Sequence, residues 1–262
     1  MSENVAPLSI KVLGDNGPFS RVGRSISYLI RAQDSLFLLD CGAPIFNLLT
    51  FDEICSIKGI IATHLHDDHK RWLTDLVLFR KYVTPNKPKI KLITSELLHY
   101  EFYQSCKFAL EKTLSFDSKK VIEIPFTDFI EPVVIGPRAK YSIKSFVIDN
   151  KLEFRVIDEL GNILPADKAK VIMHPQTKNK YILFYSPTDK IWVNPEIYYS
   201  FEEQEYYSEI NEYIDDASVL KIKAINSISW HGINSIAIML EYNNNKILFS
   251  SDTVFNYNLW SE

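Results

Sequence analysis

The sequence predicts a layered α/β protein, with short strands first, helices between, and strands returning at the end. Three observations carry this. Residues 8–13, 25–31 and 35–39 read as strands split by turn residues. Residues 70–84 and 95–114 repeat apolar side chains at helical spacing, and residues 219–250 return to strand patterning. At 262 residues the chain suffices for one large domain or two small ones.

Each element has a local reason. The first strand stops at Gly14-Asp15-Asn16-Gly17-Pro18, a strong turn signal. Ala32-Gln33-Asp34 predicts a hairpin between the second and third strands. Residues 1–62 are read as strands and turns throughout, ending in a buried strand over 58–63. Trp72, Leu73, Leu76, Val77 and Phe79 share one face of the next helix, which Pro85 stops. Residues 90–93 form a strand, and Ser95 caps a helix over 96–114. Strand-like pieces broken by prolines occupy 121–172, and the acidic, Tyr-rich residues 196–216 read as a helix or helix pair. Asn243-Asn244-Asn245 is the turn of a closing hairpin.

Composition sets wider bounds. With 46% hydrophobic and 24% charged residues, disorder and collagen-like readings are excluded. The 29 Lys+Arg against 33 Asp+Glu give a net charge of −4, so no global attraction to nucleic acid follows. Cys41, Cys55 and Cys106 are too few and too scattered for a disulfide framework and match no zinc-ribbon spacing. The first residues lack a basic and then apolar leader, and the longest apolar runs fall far short of a membrane span. A reducing, cytoplasmic setting without membrane contact is the expectation.

Chemistry concentrates in Thr63-His64-Leu65-His66-Asp67-Asp68-His69, which holds half of the six histidines. Imidazole and carboxylate are ligands of Zn²⁺ and similar ions. The cluster follows a buried strand, where α/β proteins build sites. His64 and His66, two apart on an extended segment, point the same way and can grip one ion. Asp68 and His69, at the turn into a helix, can reach a second. A merely His-rich surface loop would crowd these groups with no packing gain.

His64-x-His66-x-Asp68-His69 after a strand resembles the signature of the metallo-β-lactamase superfamily of binuclear metal hydrolases. Leu38-Leu39-Asp40-Cys41-Gly42 is similar to its upstream strand-Asp-Cys-Gly element. Trp230-His231-Gly232, a hairpin, and then Ser250-Ser251-Asp252-Thr253 look most like the ribonuclease Z and phosphodiesterase branch. The resemblance implies a four-layer αββα fold. It assigns His64, His66 and His231 to a first metal, Asp68 and His69 to a second, and Asp252 to a bridge between them. Two Zn²⁺ ions would generate the attacking hydroxide, with Mn²⁺ or Fe as alternatives and Asp68 and Asp252 at the reacting centre. Asp40 is expected to hydrogen-bond a ligand or the motif loop. Asp67 is expected to cap the following helix or sit at the cleft mouth. His174 is an ordinary strand-end residue or a proton-transfer group, and His99 a packing or surface residue.

Departures from the pattern are informative. The superfamily's last histidine ligand follows the bridging aspartate by some tens of residues, whereas Glu262 is ten residues past Asp252. The expectation is a chain lacking the C-terminal strands and helices, with a weak second metal site. His231 lies 162 residues after His69, so an insertion or lid over about 140–216, or an oligomer contact there, is expected. A homodimer is compatible with it. The leading activity is phosphodiester hydrolysis of RNA 3′ ends or of a cyclic nucleotide. Lys70, Arg71, Arg80, Lys81, Lys87, Lys89 and Lys91 could neutralise phosphate or simply form a solvated face. A compact cyclic nucleotide suits the acidic balance better than tRNA, and the aromatic insertion could stack on a base. Lactone, thioester or β-lactam hydrolysis on the same metals is the alternative, and a truncated metal- or partner-binding domain without turnover is the third.

Overall fold

In the computed structural model, residues 8–114, 120–139, 142–157, 162–173, 175, 178, 180–186, 190–193, 207–228 and 233–252 are described. The first half runs β1 (Ser9–Gly14), β2 (Ser27–Ala32), β3 (Ser35–Leu39), α1 (Ile45–Leu48), α2 (Phe51–Ser56), β4 (Ile57–Ile61), α3 (Asp67–Lys70), α4 (Leu73–Tyr82), β5 (Ile90–Thr94) and α5 (Glu96–Leu110). Short strands follow: β6 (Lys112–Leu114), β7 (Val121–Glu123), β8 (Ile130–Val134) and β9 (Gly136–Ala139). Next come the hairpin β10 (Ser142–Ile148) and β11 (Lys151–Ile157), then β12 (Ala169–Met173), β13 (Lys180–Ser186) and β14 (Ile191–Val193). The last strands are β15 (Tyr207–Ile214), β16 (Lys221–Ile228), β17 (Asn234–Tyr242) and β18 (Asn245–Phe249).

Two sheets form the body. The first has the order β1-β2-β3-β4-β5-β8, and the second the order β18-β17-β16-β15-β9. Antiparallel pairing joins β1, β2 and β3, while β3, β4, β5 and β8 are mutually parallel. Parallel neighbours need crossovers, and the helices supply them. Every residue of β3 is buried, as a strand covered on both faces must be. Phe37 meets Tyr213 of the second sheet with ring centroids 6.1 Å apart. By strand alternation Leu36 and Leu38 face the helical layer. There Phe46 and Phe51 pack on Phe79 of α4 at 5.5 and 5.8 Å. No described helix is long and apolar enough to cross a membrane.

Several expectations need correction. Residues 45–56 are helical, not strand and turn: Thr50 accepts from the Glu53 amide and Glu53 reaches back to the Thr50 amide. This Thr-x-x-Glu capping box stabilises the turn by about 1 kcal/mol. The helix capped by Ser95 ends at Leu110, because Lys112–Leu114 pairs with Val121–Glu123 instead. Of the acidic stretch expected to be helical, residues 207–214 form β15, paired with both β9 and β16. Two neighbouring strands outweigh the helix propensity of scattered glutamates. The rest of that stretch, 196–206, lies outside the described residues. The closing hairpin is as expected: Asn243 and Asn244 both have positive φ, 48° and 64°, the geometry of a type I′ turn.

A buried polar staple ties the two sheets together. Asp215, after β15, accepts from the hydroxyls of Ser35 and Ser218, both at 2.6 Å, and from Lys58 Nζ at 3.1 Å. Burial alone would raise its carboxyl pKa. The hydrogen bonds from Ser218, Ser35 and Lys58 outweigh that and hold it below the ordinary value. Asp215→Ala is expected to destabilise the protein by about 2–3 kcal/mol. A group depressed on folding stabilises fully above its unfolded pKa, about 3.9 for Asp. That contribution is lost as pH falls through the folded value. Urea unfolding between pH 5 and the acid transition should therefore fall less steeply in the variant; equal slopes would refute this role.

Candidate metal centre

The parallel strands bring the motif residues to one edge. In the register of β3 and β4, Leu39 lies opposite Ile61, so the residues that follow each strand emerge side by side. Asp40 takes a left-handed backbone, φ 55°, which aspartate tolerates better than most residues. Its side chain turns back to the other strand end. Oδ1 accepts the Thr63 amide at 2.9 Å, and Oδ2 accepts the Thr63 hydroxyl at 2.9 Å. Oδ2 also lies 2.7 Å from His69 Nδ1.

The next two residues clamp the motif helix. The Cys41 amide donates to the His69 carbonyl at 2.6 Å, and the Trp72 amide donates to the Cys41 carbonyl at 2.8 Å. Gly42 lies so close to α3 that a Cβ there would stand 1.6 Å from the Asp68 carbonyl oxygen. Only glycine permits that approach. The Cys41 thiol is fully buried and pushed far up by burial and then by Asp40, so it is an inert packing group.

Two donor sets converge on the cradle: His64, His66 and Asp252, and Asp68, His69 and Asp252, with each set's candidate ligand atoms within 4.8 Å of one another. His64 Nε2 lies 3.0 Å from His66 Nδ1 and 3.9 Å from Asp252 Oδ2. His69 Nε2 lies 3.8 Å from Asp68 Oδ2 and 3.6 Å from Asp252 Oδ2. His64, Asp68 and His69 are buried, and Asp252 is delivered by Ser251, itself at φ 54°.

The hydrogen bonds also set the tautomers. The Thr63 hydroxyl donates to Asp40 and has two lone pairs left, for the Ser251 hydroxyl at 2.8 Å and for His64 Nδ1–H at 3.0 Å. That leaves His64 Nε2 as a lone-pair donor. Burial, and then the neighbouring His69, push the His64 imidazolium down to about 4, so the ring is neutral at pH 7. Asp40 holds Nδ1–H of His69 in the same way. Burial alone would lower the His69 pKa, but Asp40 and Asp252 reverse this and raise it.

His69 Nε2 is buried with no hydrogen-bond partner among the described residues. A buried, unsatisfied imidazole nitrogen aimed at two carboxylates is costly unless a cation completes it. These residues therefore fit divalent ions. The imidazoles must be deprotonated to bind one, so affinity should fall as pH falls.

The structure brings together five of the six residues expected at the centre. The sixth, His231, lies outside the described residues, as does His174. Asp40 bonds both a motif histidine and the motif loop, the two roles expected of it. Asp67 sits in the first turn of α3 and pairs with Lys70 at 2.8 Å. His99 is buried, with Nε2 2.9 Å from the Val133 carbonyl. The basic run is largely engaged: Arg80 donates to the Ile57 carbonyl, Lys81 pairs with Asp128, Lys89 donates to the Thr127 carbonyl and Lys91 pairs with Glu131. Sequence reasoning gave no role to Thr63, which was visible inside the motif, or to Ser251. A cavity of about 260 Å³ opens beside the centre, lined by Tyr28, Asp40, His69 and Asp252 among others.

Residues 8–159, more than half of the chain, match the family model described as Anti-Pycsar protein Apyc1. A protein of that name from Paenibacillus sp. (strain J14) is 27% identical over 139 residues, 52% of this chain and 56% of that protein. The chain thus spans about half the length of the curated relative it matches. Among solved structures, a long-form RNase Z from yeast aligns over 100% of this chain and 31% of its own, at 15% identity and a TM-score of 0.50. YhfI from Bacillus subtilis, a metallo-β-lactamase fold protein, aligns over 96% and 65%, at 11% identity and a TM-score of 0.48. Such low identities speak to fold alone, and the fold is that of the metallo-β-lactamases.

Proposed function

The chain belongs to the Anti-Pycsar protein Apyc1 family, and we propose that it is a metal-dependent phosphodiesterase acting on a cyclic nucleotide. The observation that carries this reading is the pair of donor sets sharing Asp252. His64 and His66, with His231 joining them as the resemblance implies, would hold one ion. Asp68 and His69 would hold the second, and Asp252 would serve both. Zn²⁺ suits the imidazole-rich set, with Mn²⁺ or Fe as alternatives. When bound, such ions supply Lewis-acid polarisation of the phosphoryl group and acidification of water.

The chain's own residues do the positioning. Asp40 and Thr63 fix the rings of His69 and His64, so both Nε2 lone pairs face the centre without rotamer loss. Burial of Asp68 and His69 keeps the donor set dry on the protein side, which strengthens each electrostatic contact with substrate. A small cyclic substrate is favoured over a long polyanion because the chain carries a net charge of −4 and the lysines after the motif are mostly paired. Long RNA would need several free phosphate contacts. Of the insertion expected over about 140–216, residues 207–214 instead form β15 of the second sheet. That leaves the strands β10–β14 as the described part of it that could cover the substrate, form a recognition arm or make an oligomer contact.

The test is hydrolysis of 3′,5′-cyclic nucleotides, a short RNA and a lactone by the purified protein, before and after chelation with EDTA. Cyclic nucleotide turnover should fall at least about a hundredfold on chelation and return with Zn²⁺ or Mn²⁺. Preferred cleavage of the lactone, or turnover indifferent to chelation, would overturn the reading.

A further inference from the structure

A second pocket, of about 620 Å³, has Leu65 of the motif loop in its lining. One face of α5 supplies Glu101, Gln104 and Ser105, at the i, i+3, i+4 spacing that places them together. Leu65, flanked by His64 and His66, closes one wall. Asn234, at the start of β17, closes another, and Trp192 of β14 contributes an indole. The volume is within the usual range for small-molecule sites, roughly 300–1,000 Å³.

Its chemistry differs from that of the metal centre. No lysine, arginine or histidine is among the described residues lining it, so nothing there favours a phosphate. What lines it is a flat aromatic ring, two aliphatic side chains, and polar groups able to donate and accept. Asn234 Nδ2 donates to Glu101 Oε1 at 2.8 Å, which holds the carboxyl at the pocket wall. The indole is fixed by Lys170, whose Nζ lies 4.1 Å from its ring centroid, and by Tyr185 at 5.5 Å. A planar heterocycle with hydrogen-bonding edges matches this lining: apolar faces for stacking, and amide, hydroxyl and carboxyl groups for the edge.

We propose that this pocket is the nucleobase subsite, with Trp192 packing on the base and Glu101, oriented by Asn234, hydrogen-bonding its edge. The assignment rests on the phosphodiesterase reading above and adds the part of the substrate that lies away from the metals. Leu65, between His64 and His66, lines this pocket, so the subsite adjoins the motif loop and requires the base to extend past that loop from a phosphate at the His64–Asp252 centre. Burial pushes the Glu101 carboxyl up to about 7, against a smaller lowering by Asn234, so near neutral pH it can both accept and donate.

The experiment compares kcat/KM for a purine and a pyrimidine 3′,5′-cyclic nucleotide with that for 1-O-methylribose 3′,5′-cyclic phosphate, the same ring without a base. The wild-type protein should prefer the nucleotides by roughly tenfold or more, as expected for one stacking contact plus edge hydrogen bonds. That preference should collapse towards unity in Glu101→Ala and Trp192→Ala and persist in Trp192→Phe, with melting temperature confirming that each variant is folded. A preference equal in wild type and variants, or absent in wild type, overturns the subsite. Equilibrium dialysis of the cyclic nucleotide with excess EDTA decides the pocket separately from catalysis. Binding weakened about tenfold by Glu101→Ala supports it even if no substrate turns over, an outcome that would sink the catalytic reading alone. Absence of binding in wild type overturns the pocket.

Discussion

Asp252→Ala should lower cyclic nucleotide turnover by roughly a thousandfold or more while leaving the fold in place. Losing a residue that merely orients a ligand costs about 10–100-fold. Asp252 stands in both donor sets, so its removal loosens both ion sites at once. Its side chain is 40% exposed, so little packing is lost with it. The melting temperature should stay within a few degrees of wild type, while elemental analysis shows metal content per chain falling by half or more. Wild-type turnover in this variant would sink the assignment of the centre. His66→Ala should behave similarly, since His66 is also only half-buried.

Gly42→Ala should have the largest structural effect of any single methyl addition near the site. The new Cβ would meet the Asp68 carbonyl oxygen at 1.6 Å and its carbon at 2.4 Å, both of them backbone atoms. Neither can rotate away. Either the strand-end turn 40–42 or helix α3 must move, and both are held by the Cys41–His69 and Trp72–Cys41 backbone bonds. A destabilisation of about 3 kcal/mol or more is expected, at the upper end of overpacking costs. It should be visible as a drop of several degrees in melting temperature, together with weaker metal retention because Asp68 and His69 shift with α3. A variant with unchanged stability and metal content would show that the contact relaxes freely.

The centre was legible because its residues are contiguous. His64, His66, Asp68 and His69 fall within six positions, and Asp40 and Asp252 sit at the ends of patterned strands. Local chemistry and strand-end position sufficed to group them. Glu101 was not legible, since it lies on a helix with no motif around it, Asn234 meets it from 133 residues away, and Trp192, which lines the same pocket, lies 91 residues away. The helical expectation for residues 207–214 failed for a related reason. Glutamate-rich segments read as helix in isolation, and only the pairing of β15 with β9 and β16 shows the strand. The basic run after the motif could be read as phosphate-binding or as a solvated face until Asp128 and Glu131 were found beside Lys81 and Lys91 across the fold, with Asp67 pairing Lys70 within one helical turn.

By itself, then, the sequence determined the layered α/β class, the strands of the first sheet and the ligand-rich loop, all properties encoded within a few neighbouring residues. Tertiary structure alone decided how those pieces work together. It placed Asp40 against His69 across the β3–β4 register and let Gly42 admit the Asp68 backbone. It also joined the two donor sets through Asp252 and engaged most of the nearby lysines. These are contacts between segments up to 188 residues apart in sequence. The Asp40 and Gly42 contacts arise because the parallel strands β3 and β4 bring their C-terminal ends to one edge, and Asp252 joins them from the end of β18 in the second, antiparallel sheet, a geometry that no local pattern specifies.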